Sequence, residues 1–257
     1  MRIAVPREVK NNEFRVAITP TCVHDLVSHG HEVFVQTQAG VGSNISDAAY
    51  EAAGATILAD AEQTWARGEL VLKVKEPVAT EYGFFRPGLV LFTYLHLAAE
   101  AALTHALLES GVTAIAYETV QLANRALPLL APMSEVAGRL APIVGANAML
   151  KPSGGPGLLI SGVPGTYPAS VTVLDTNLFR LRELDALYGG RITTVASSTL
   201  EVERAVIGSD LVIGSVLVPG AKAPKLVGNE LVSRMRPGSV LVDIAIDQGG
   251  CFADSRP

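Results

Sequence analysis

The sequence has little of what several protein classes require. It holds two cysteines, Cys22 and Cys251, among 257 residues. They form neither a C-x-x-C pair nor a metal-ligand spacing, which indicates a reducing compartment without a disulfide framework. No apolar run approaches the roughly 18 residues of a membrane span, and charges interrupt any signal-like core at the start. With a formal net charge of −5, which argues against a nucleic-acid surface, we expect a cytoplasmic protein without a metal site.

What the sequence does contain is an alternation of short apolar strands and helical segments. Hydrophobic residues make up 49% of the chain, enough for one large domain or two modest ones. The alternation predicts an α/β fold with a mostly parallel sheet, and a break near Leu127-Pro128 predicts domains 1–128 and 129–257. The predicted strands are Arg2–Val5, Glu32–Val35, Ala55–Leu58, Glu69–Val74, Leu89–Tyr94, Val112–Tyr117, Val171–Leu174, Arg191–Val195, Asp210–Ile213 and Ser239–Ile244.

Helix signals lie between these strands. Thr19 followed by Pro20 is typical of an N-cap and a first helical residue. Ser134 predicts the N-cap of a long helix toward Leu150, which Pro142 should kink or end early. Further helices are predicted at Asp47–Ala53, Ala98–Ser110, Leu178–Tyr188 and Leu200–Ile207.

Three basic residues lie near predicted strand ends. Arg15 lies in the polar loop after the first strand, where open α/β sheets place ligands, and its planar fork suits a carboxylate; a surface arginine in a loop is the alternative. Lys73 and Lys75 alternate with valine in an apolar strand. Period two puts both on one face, where they either meet an anion or point outward from an edge strand and protect it against aggregation.

Two further residues have side chains suited to proton transfer. His96 ends an apolar strand, which suits acid–base work near neutral pH and equally suits a core histidine with one hydrogen bond. Asp247 follows the last predicted strand, together with Asp243. It is either a group that assists proton transfer or holds an ammonium, or a turn aspartate before Gly249-Gly250.

One acidic residue has a place that dinucleotide-binding folds use. Asp175 ends the strand VTVLD, where an acid accepts the ribose hydroxyls and favours NAD over NADP; it could also cap the next helix. No G-x-G-x-x-G stands upstream. The stretches Gly154–Gly157 and Gly162–Gly165 are rich in glycine, but neither follows a strand and opens a helix, and their prolines remove backbone donors.

Eight sequence runs, in order and over nearly the whole chain, carry a family resemblance: VPREVKNNEFRVAITP, LVLKVKEP, FTYLHLA, AIAYETVQ, LPLLAPMSEVAGR, SGVPGTYPA, SDLVIGSVLVPGAKAPKLV and VLVDIAIDQGGCF. The chain resembles alanine dehydrogenase, in the family shared with the nicotinamide nucleotide transhydrogenase α subunit. The runs FTYLHLA and DIAIDQGGCF favour alanine dehydrogenase over the transhydrogenase. The resemblance implies an NAD-dependent oxidoreductase that interconverts L-alanine with pyruvate and ammonia, with two Rossmann-like domains, and a homo-oligomer that is a hexamer in the family.

The resemblance also implies roles for individual residues. Arg15 and Lys75 match the substrate ligands, His96 the catalytic acid–base and Asp247 a second catalytic residue, while Lys73 is expected to be structural. The residues that match the cofactor pocket are Ser134, Asp175, Arg180, Ser197, Val216, Leu217, Ile244 and Arg256.

The chain departs from the family pattern in its second half. Pro168-Ala169-Ser170 runs directly into the strand ending at Asp175, where the family has first a strand, a glycine-rich turn and a helix, roughly 25 residues of a βαβ unit. We therefore expect an incomplete NAD-binding domain, internally deleted and shorter at its C-terminus. The expected activity of this chain alone is weak or absent; the alternative is a non-catalytic relative that keeps a substrate-binding domain or pairs with full-length subunits.

Overall fold

The computed structural model of the protein describes residues 1–256. The chain forms two compact units, Met1–Ala131 and the part from Pro132 onward. Every strand pair in both units is parallel, and helices alternate with the strands along the chain. The predicted α/β class with a parallel sheet is confirmed.

The first unit contains a six-stranded parallel sheet. Its strands are β1 (Arg2–Val5), β2 (Glu32–Gln36), β3 (Thr56–Leu58), β4 (Leu70–Leu72), β5 (Val90–Thr93) and β6 (Thr113–Ala116). Their order is β3-β2-β1-β4-β5-β6, that of the doubly wound α/β fold. The chain adds β2 and β3 on one side of β1 and then adds β4, β5 and β6 on its other side, so the strand order reverses between β1 and β4. The carboxyl ends of such a pair form the crevice where ligands bind.

Alternation along β1 and β2 builds a core on each face of this sheet. Ile3 and Val5 belong to one buried cluster and Ala4 to the other, and the same division separates Val33 from Phe34. Successive side chains of a strand point to opposite faces, so both faces of the sheet are covered. The helices of this unit are α1 (Pro20–Ser28), α2 (Asp47–Ala52), α3 (Ala61–Arg67) and α4 (Ala101–Ser110).

The second unit has two separate two-stranded sheets. One pairs β7 (Thr172–Asp175) with β8 (Thr193–Ala196), and the other pairs β9 (Leu211–Gly214) with β10 (Val240–Asp243). The main buried cluster, around Val206, Val227 and Phe252, lies with the second sheet. The helices of this unit are α5 (Ala131–Ala148), α6 (Leu178–Tyr188), α7 (Thr199–Gly208) and α8 (Asn229–Ser233).

Helix α5 corrects the predicted N-cap, and it does not end early at Pro142. It begins at Ala131, so Ser134 lies in its first turn and is not the N-cap, and it continues through Pro142 to Ala148. A proline inside a helix removes one N–H and crowds the carbonyl four residues earlier. That residue is Gly138, whose lack of a side chain gives the backbone room to adjust. Within residues 1–256, no helix has both the length and the apolar character to cross a membrane.

Candidate active site

The carboxyl ends of β1 and β4 meet at a buried carboxylate. Glu8 follows β1 by three residues, and its side chain accepts hydrogen bonds from the backbone N–H of Val74 at 2.6 Å and of Lys75 at 3.4 Å. Its oxygen Oε2 also lies 3.2 Å from Nζ of Lys73. Burial raises the pKa of Glu8 above its ordinary value, although Lys73 opposes that shift. Glu8 therefore ties the segment after β4 to the switch point of the sheet.

Lys73 and Lys75 differ sharply in their surroundings. The Lys73 side chain is fully buried and lies between two carboxylates, that of Glu8 and that of Glu81 at 2.9 Å. Lys75 is half-buried, and its carbonyl accepts a hydrogen bond from Thr93. The ladder of β4 ends at Leu72, two residues before the predicted strand end at Val74, so neither lysine lies within the strand. Only Lys75 is left with partial access to solvent.

Arg15 lies in the loop after β1 and is held by its neighbour. The carboxylate of Glu13 accepts from Nε of Arg15 at 2.8 Å and from its terminal nitrogen at 2.5 Å. Burial raises the pKa of Glu13, but the hydrogen bonds and charge of Arg15, with a further contribution from Lys75, outweigh it and hold the pKa below its ordinary value. The positive charge of Arg15 in turn opposes the burial that raises the pKa of Tyr94. Arg15, Lys75 and Tyr94 thus share one electrostatic neighbourhood in the first unit.

The turn after β5 carries His96 beside two aromatic rings. The imidazole stacks on Tyr94 with ring centroids 6.0 Å apart and an interplanar angle of 11°. Tyr94 meets Tyr117 edge to face, and its hydroxyl donates to the carbonyl of Leu129 at 2.6 Å. Burial raises the pKa of Tyr94, so the hydroxyl keeps its proton at neutral pH. Among the described residues, nothing forms a hydrogen bond with the buried Nδ1 of His96.

A second buried carboxylate fixes the backbone at this turn. Glu118 follows β6, the neighbour of β5, and is 5% exposed. It accepts hydrogen bonds from the N–H of His96 at 2.7 Å and of Leu95 at 3.2 Å. The predicted ligands Arg15 and Lys75 and the predicted acid–base His96 therefore lie along the carboxyl edge of the first sheet.

The second unit contains Asp175 at the end of β7. Its Oδ1 accepts from the N–H of Asn177 at 2.8 Å, and Asn177, not Asp175, caps α6 by accepting from Phe179 and Arg180. Arg180 is exposed and pairs with Glu183 at 3.0 Å. The backbone N–H of Ser197 donates to the carbonyl of Asp175 at 2.9 Å.

Asp247 stands in the loop after β10, and Asp243 organises that loop. Asp247 is exposed in a 3-10 turn. Asp243 accepts from the N–H groups of Ala245 at 3.0 Å and Cys251 at 2.7 Å and from the hydroxyl of Ser255 at 2.5 Å. Gly250 has φ of 75°, and a Cβ there would come within 2.7 Å of the Asp243 carboxylate. Asp243 thus has a structural role next to the predicted catalytic Asp247.

Replacing Asp243 tests this organising role. In Asp243→Ala, three backbone N–H groups lose their acceptor, two of them in the buried residues Cys251 and Phe252. An unsatisfied buried donor costs about 1–3 kcal/mol, so we expect the second unit to lose about 2–4 kcal/mol of stability. Hydrogen exchange at Cys251 and Phe252 measures it. Asp254→Ala, which removes one exposed contact to Asn229, is the matched control and should leave both amides protected.

The remaining residues of the predicted cofactor pocket lie at several places in the second unit. Ser134 is exposed on α5, Leu217 is 40% exposed after β9, and Arg256 donates to the carbonyls of Ala253 and Ser255. Val216 is half-buried, as is Ile244, whose N–H donates to the carbonyl of Gly214 at 2.9 Å.

The glycine-rich segment before β7 forms neither helix nor strand. After a 3-10 turn at Lys151–Ser153, residues 154–171 are turns and irregular chain. Gly154, Gly157, Gly162 and Gly165 all have positive φ. No helix begins between residue 154 and β7, so this part of the described chain offers no helix N-terminus to an anion.

The chain also matches known families over most of its length. Residues 4–137 match the family described as "Alanine dehydrogenase/PNT, N-terminal domain", and residues 169–257 match the corresponding C-terminal domain. The alanine dehydrogenase of Mycobacterium tuberculosis (strain ATCC 25618 / H37Rv) is 58% identical over 280 aligned positions, which cover 100% of this chain and 76% of that protein. The chain belongs to the alanine dehydrogenase family.

Other relatives support the same family. The alanine dehydrogenase of Bacillus subtilis (strain 168) is 53% identical over 273 positions, covering 97% of this chain and 72% of that protein. A solved L-alanine dehydrogenase superposes with a TM-score of 0.87 at 47% identity, covering 100% of this chain and 77% of the other. A transhydrogenase from Sinorhizobium meliloti reaches 0.74 at 26% identity, covering 100% and 82%. By family, the chain is an NAD-dependent oxidoreductase of the alanine dehydrogenase type.

Sequence reasoning missed three carboxylates that organise the candidate site. Glu8, Glu13 and Glu118 each bind backbone or side-chain groups of the predicted ligands and acid–base. Glu8 and Glu118 each follow a parallel strand by two or three residues, and the carboxyl ends of parallel strands lie at one edge of the sheet. That position was the available signal.

Proposed function

We propose that this chain acts in the alanine dehydrogenase reaction, L-alanine with NAD and water to pyruvate, ammonia and NADH. In this proposal the first unit binds the amino or oxo acid, and the second unit holds NAD weakly. The observation that carries it is the common location of Arg15, Lys75 and His96 at the carboxyl edge of a sheet with the order β3-β2-β1-β4-β5-β6.

Substrate binding rests on two cations. Arg15 offers a planar fork to a carboxylate. Lys75 adds a compact positive charge on the segment that follows β4, the strand beside β1 at the switch point. Glu13 already accepts from the Arg15 fork, so an incoming carboxylate has to share or replace that contact. The backbone of Lys75 is fixed by Glu8 and Thr93, which supports a prepared position for its ammonium group.

Proton transfer is assigned to His96 and Asp247. The half-buried imidazole has a buried Nδ1 with no hydrogen-bond partner in residues 1–256 and lies against Tyr94. In the proposed role, His96 gives and takes the proton on the hydroxyl of the carbinolamine, and Asp247 orients or deprotonates the ammonium-bearing species.

The residues of the second unit fit only part of NAD. Asp175 at the end of β7 suits a ribose, and Arg180, Ser197, Val216, Leu217, Ile244, Ser134 and Arg256 are proposed to complete the pocket. A pyrophosphate needs backbone N–H groups at a helix start, and residues 154–171 contain no helix. The split between the two small sheets supports an incomplete NAD-binding domain. We derive no hydride step for this chain.

A cellular location and an oligomeric state are proposed as well. We expect a cytoplasmic homo-oligomer that acts on small molecules. The apolar residues that α5 leaves exposed support association between copies: Val136, Leu140, Ile143 and Val144.

Pyruvate binding without dinucleotide tests the substrate assignment. Loss of a charged hydrogen-bond partner costs about 1.5–3 kcal/mol, so Arg15→Ala and Lys75→Ala should each weaken pyruvate binding by about 10- to 100-fold. Calorimetric titration measures the dissociation constants. Arg7→Ala is the matched control, because Arg7 is an exposed arginine of the same loop that contacts Gln38. Equal affinity in all three variants, or no pyruvate binding by the unchanged protein, contradicts the proposal.

A further inference from the structure

His96 has a backbone conformation that residues other than glycine seldom adopt. Its φ is 49°, in the left-handed region. A side chain with a Cβ is strained there, and such strain persists only where the surroundings impose it. The turn at His96 leads the chain from β5 toward α4, and the carbonyl of His96 accepts from the N–H of Ala99 at 2.9 Å.

The carboxylate of Glu118 binds the backbone N–H groups of this turn. Its Oε1 accepts from the N–H of His96 at 2.7 Å and of Leu95 at 3.2 Å, and its Oε2 lies 3.3 Å from the latter nitrogen. Charge-assisted hydrogen bonds of this kind are stronger than neutral ones. Because β5 and β6 pair in parallel register, Glu118 lies beside the turn that it binds.

The side chain of His96 is confined independently by Tyr94. The two rings stack, and Tyr94 is anchored through its hydroxyl at Leu129. The backbone conformation decides on which side of the turn the imidazole lies, and the Tyr94 ring then supports one face of it.

We propose that Glu118 is a positioning residue for His96: its carboxylate holds the left-handed turn that sets the imidazole against Tyr94. The consequence for proton transfer rests on the proposed function, whereas the effect on the turn does not. If the carboxylate only satisfied the two N–H groups, its contribution to stability would be the same whichever residue occupies position 96. This difference is measurable.

The decisive experiment is a double-mutant cycle between positions 118 and 96. Glycine adopts a positive φ without strain, whereas alanine regains its strain energy when the turn is released, so Glu118→Gln should lower the melting temperature less in the His96→Ala background than in the His96→Gly background. Fluorescence of Trp65, the single tryptophan and fully buried in the first unit, follows the transition. An equal loss in the two backgrounds overturns the proposal.

Hydrogen exchange and ring signals give a second test on folded protein. In Glu118→Gln, whose amide keeps one acceptor oxygen, exchange at the N–H of Leu95 and His96 should rise by about 10- to 100-fold. The His96 ring protons should lose the ring-current shift from Tyr94 and approach those of the exposed His29, while the Trp65 indole signal stays unchanged. Unchanged His96 ring signals overturn the proposal.

Pyruvate separates this inference from the function on which it rests. With pyruvate added, the His96 ring signals should respond in the unchanged protein and respond less in Glu118→Gln. If pyruvate perturbs neither protein, the proposed function fails, while the double-mutant cycle still decides whether Glu118 holds the turn. If pyruvate perturbs both proteins equally, the positioning role is overturned.

Discussion

Lys73→Met should destabilise the first unit by about 3–5 kcal/mol, the range found when one partner of a buried ion pair is removed. The lysine is fully buried between Glu8 and Glu81, which are themselves 4% and 5% exposed. Methionine fills a similar volume, so the loss comes from two carboxylates left without a counter-charge rather than from a cavity. Denaturant unfolding followed by Trp65 fluorescence measures the change in the free energy of unfolding of the first unit.

The pH dependence identifies this cause. Burial already raises the pKa of Glu8, and without Lys73 the pKa rises further above the unfolded value. A carboxyl with a raised folded pKa gives stability that is fully present below the unfolded pKa and is lost as the pH rises through the folded pKa. The deficit of Lys73→Met should therefore be smaller at pH 5 than at pH 7.5. A deficit independent of pH would contradict the account.

An exposed ion pair of the same unit serves as the control. Arg2 and Glu69 meet at 3.3 Å with each side chain 48% exposed, and exposed pairs contribute little to stability. Arg2→Met should leave the unfolding midpoint within experimental error. If Arg2→Met and Lys73→Met behave alike, burial of the Lys73 ion pairs is not what stabilises the sheet edge.

The strands were the part of the fold that local pattern could predict. Predicted and observed strands differ by no more than two residues at either end, because each is a short apolar run between turn residues. Helix α3 was missed, although Asp60 caps it through the N–H of Gln63.

The site was predictable only as isolated positions. The resemblance assigned roles to Arg15, Lys75 and His96, but the carboxylates that hold them come from distant parts of the chain: Glu8 is 67 residues from Lys75, and Glu118 is 22 residues from His96. Periodicity carries no information on such pairs. Periodicity placed both lysines within one strand, because it could not reveal that the ladder ends at Leu72 and that Glu8 and Glu81 pair with the buried Lys73.

NADH should bind this chain weakly, and inserting a strand, a glycine-rich turn and a helix before β7 should raise the affinity by about 100- to 1000-fold. The alignment with the Mycobacterium tuberculosis relative spans 280 positions against 257 residues here, a difference of 23. We place these positions before β7. A helix start there would add a dipole and N–H hydrogen bonds to the pyrophosphate, together about 3–4 kcal/mol, which corresponds to that change in affinity.

The experiment inserts the corresponding segment of that relative between Ala169 and Ser170 and measures NADH fluorescence in a titration of both proteins. A strand added by the insert can pair with edges that the two small sheets leave open, so the protein with the insert should also unfold more cooperatively. An insert of equal length rich in glycine and serine is the control, since it adds chain without a strand or helix. Tight NADH binding by the unchanged chain would contradict the prediction, and it would mean that the loop of residues 154–171 supplies the pyrophosphate contacts by another arrangement of its backbone.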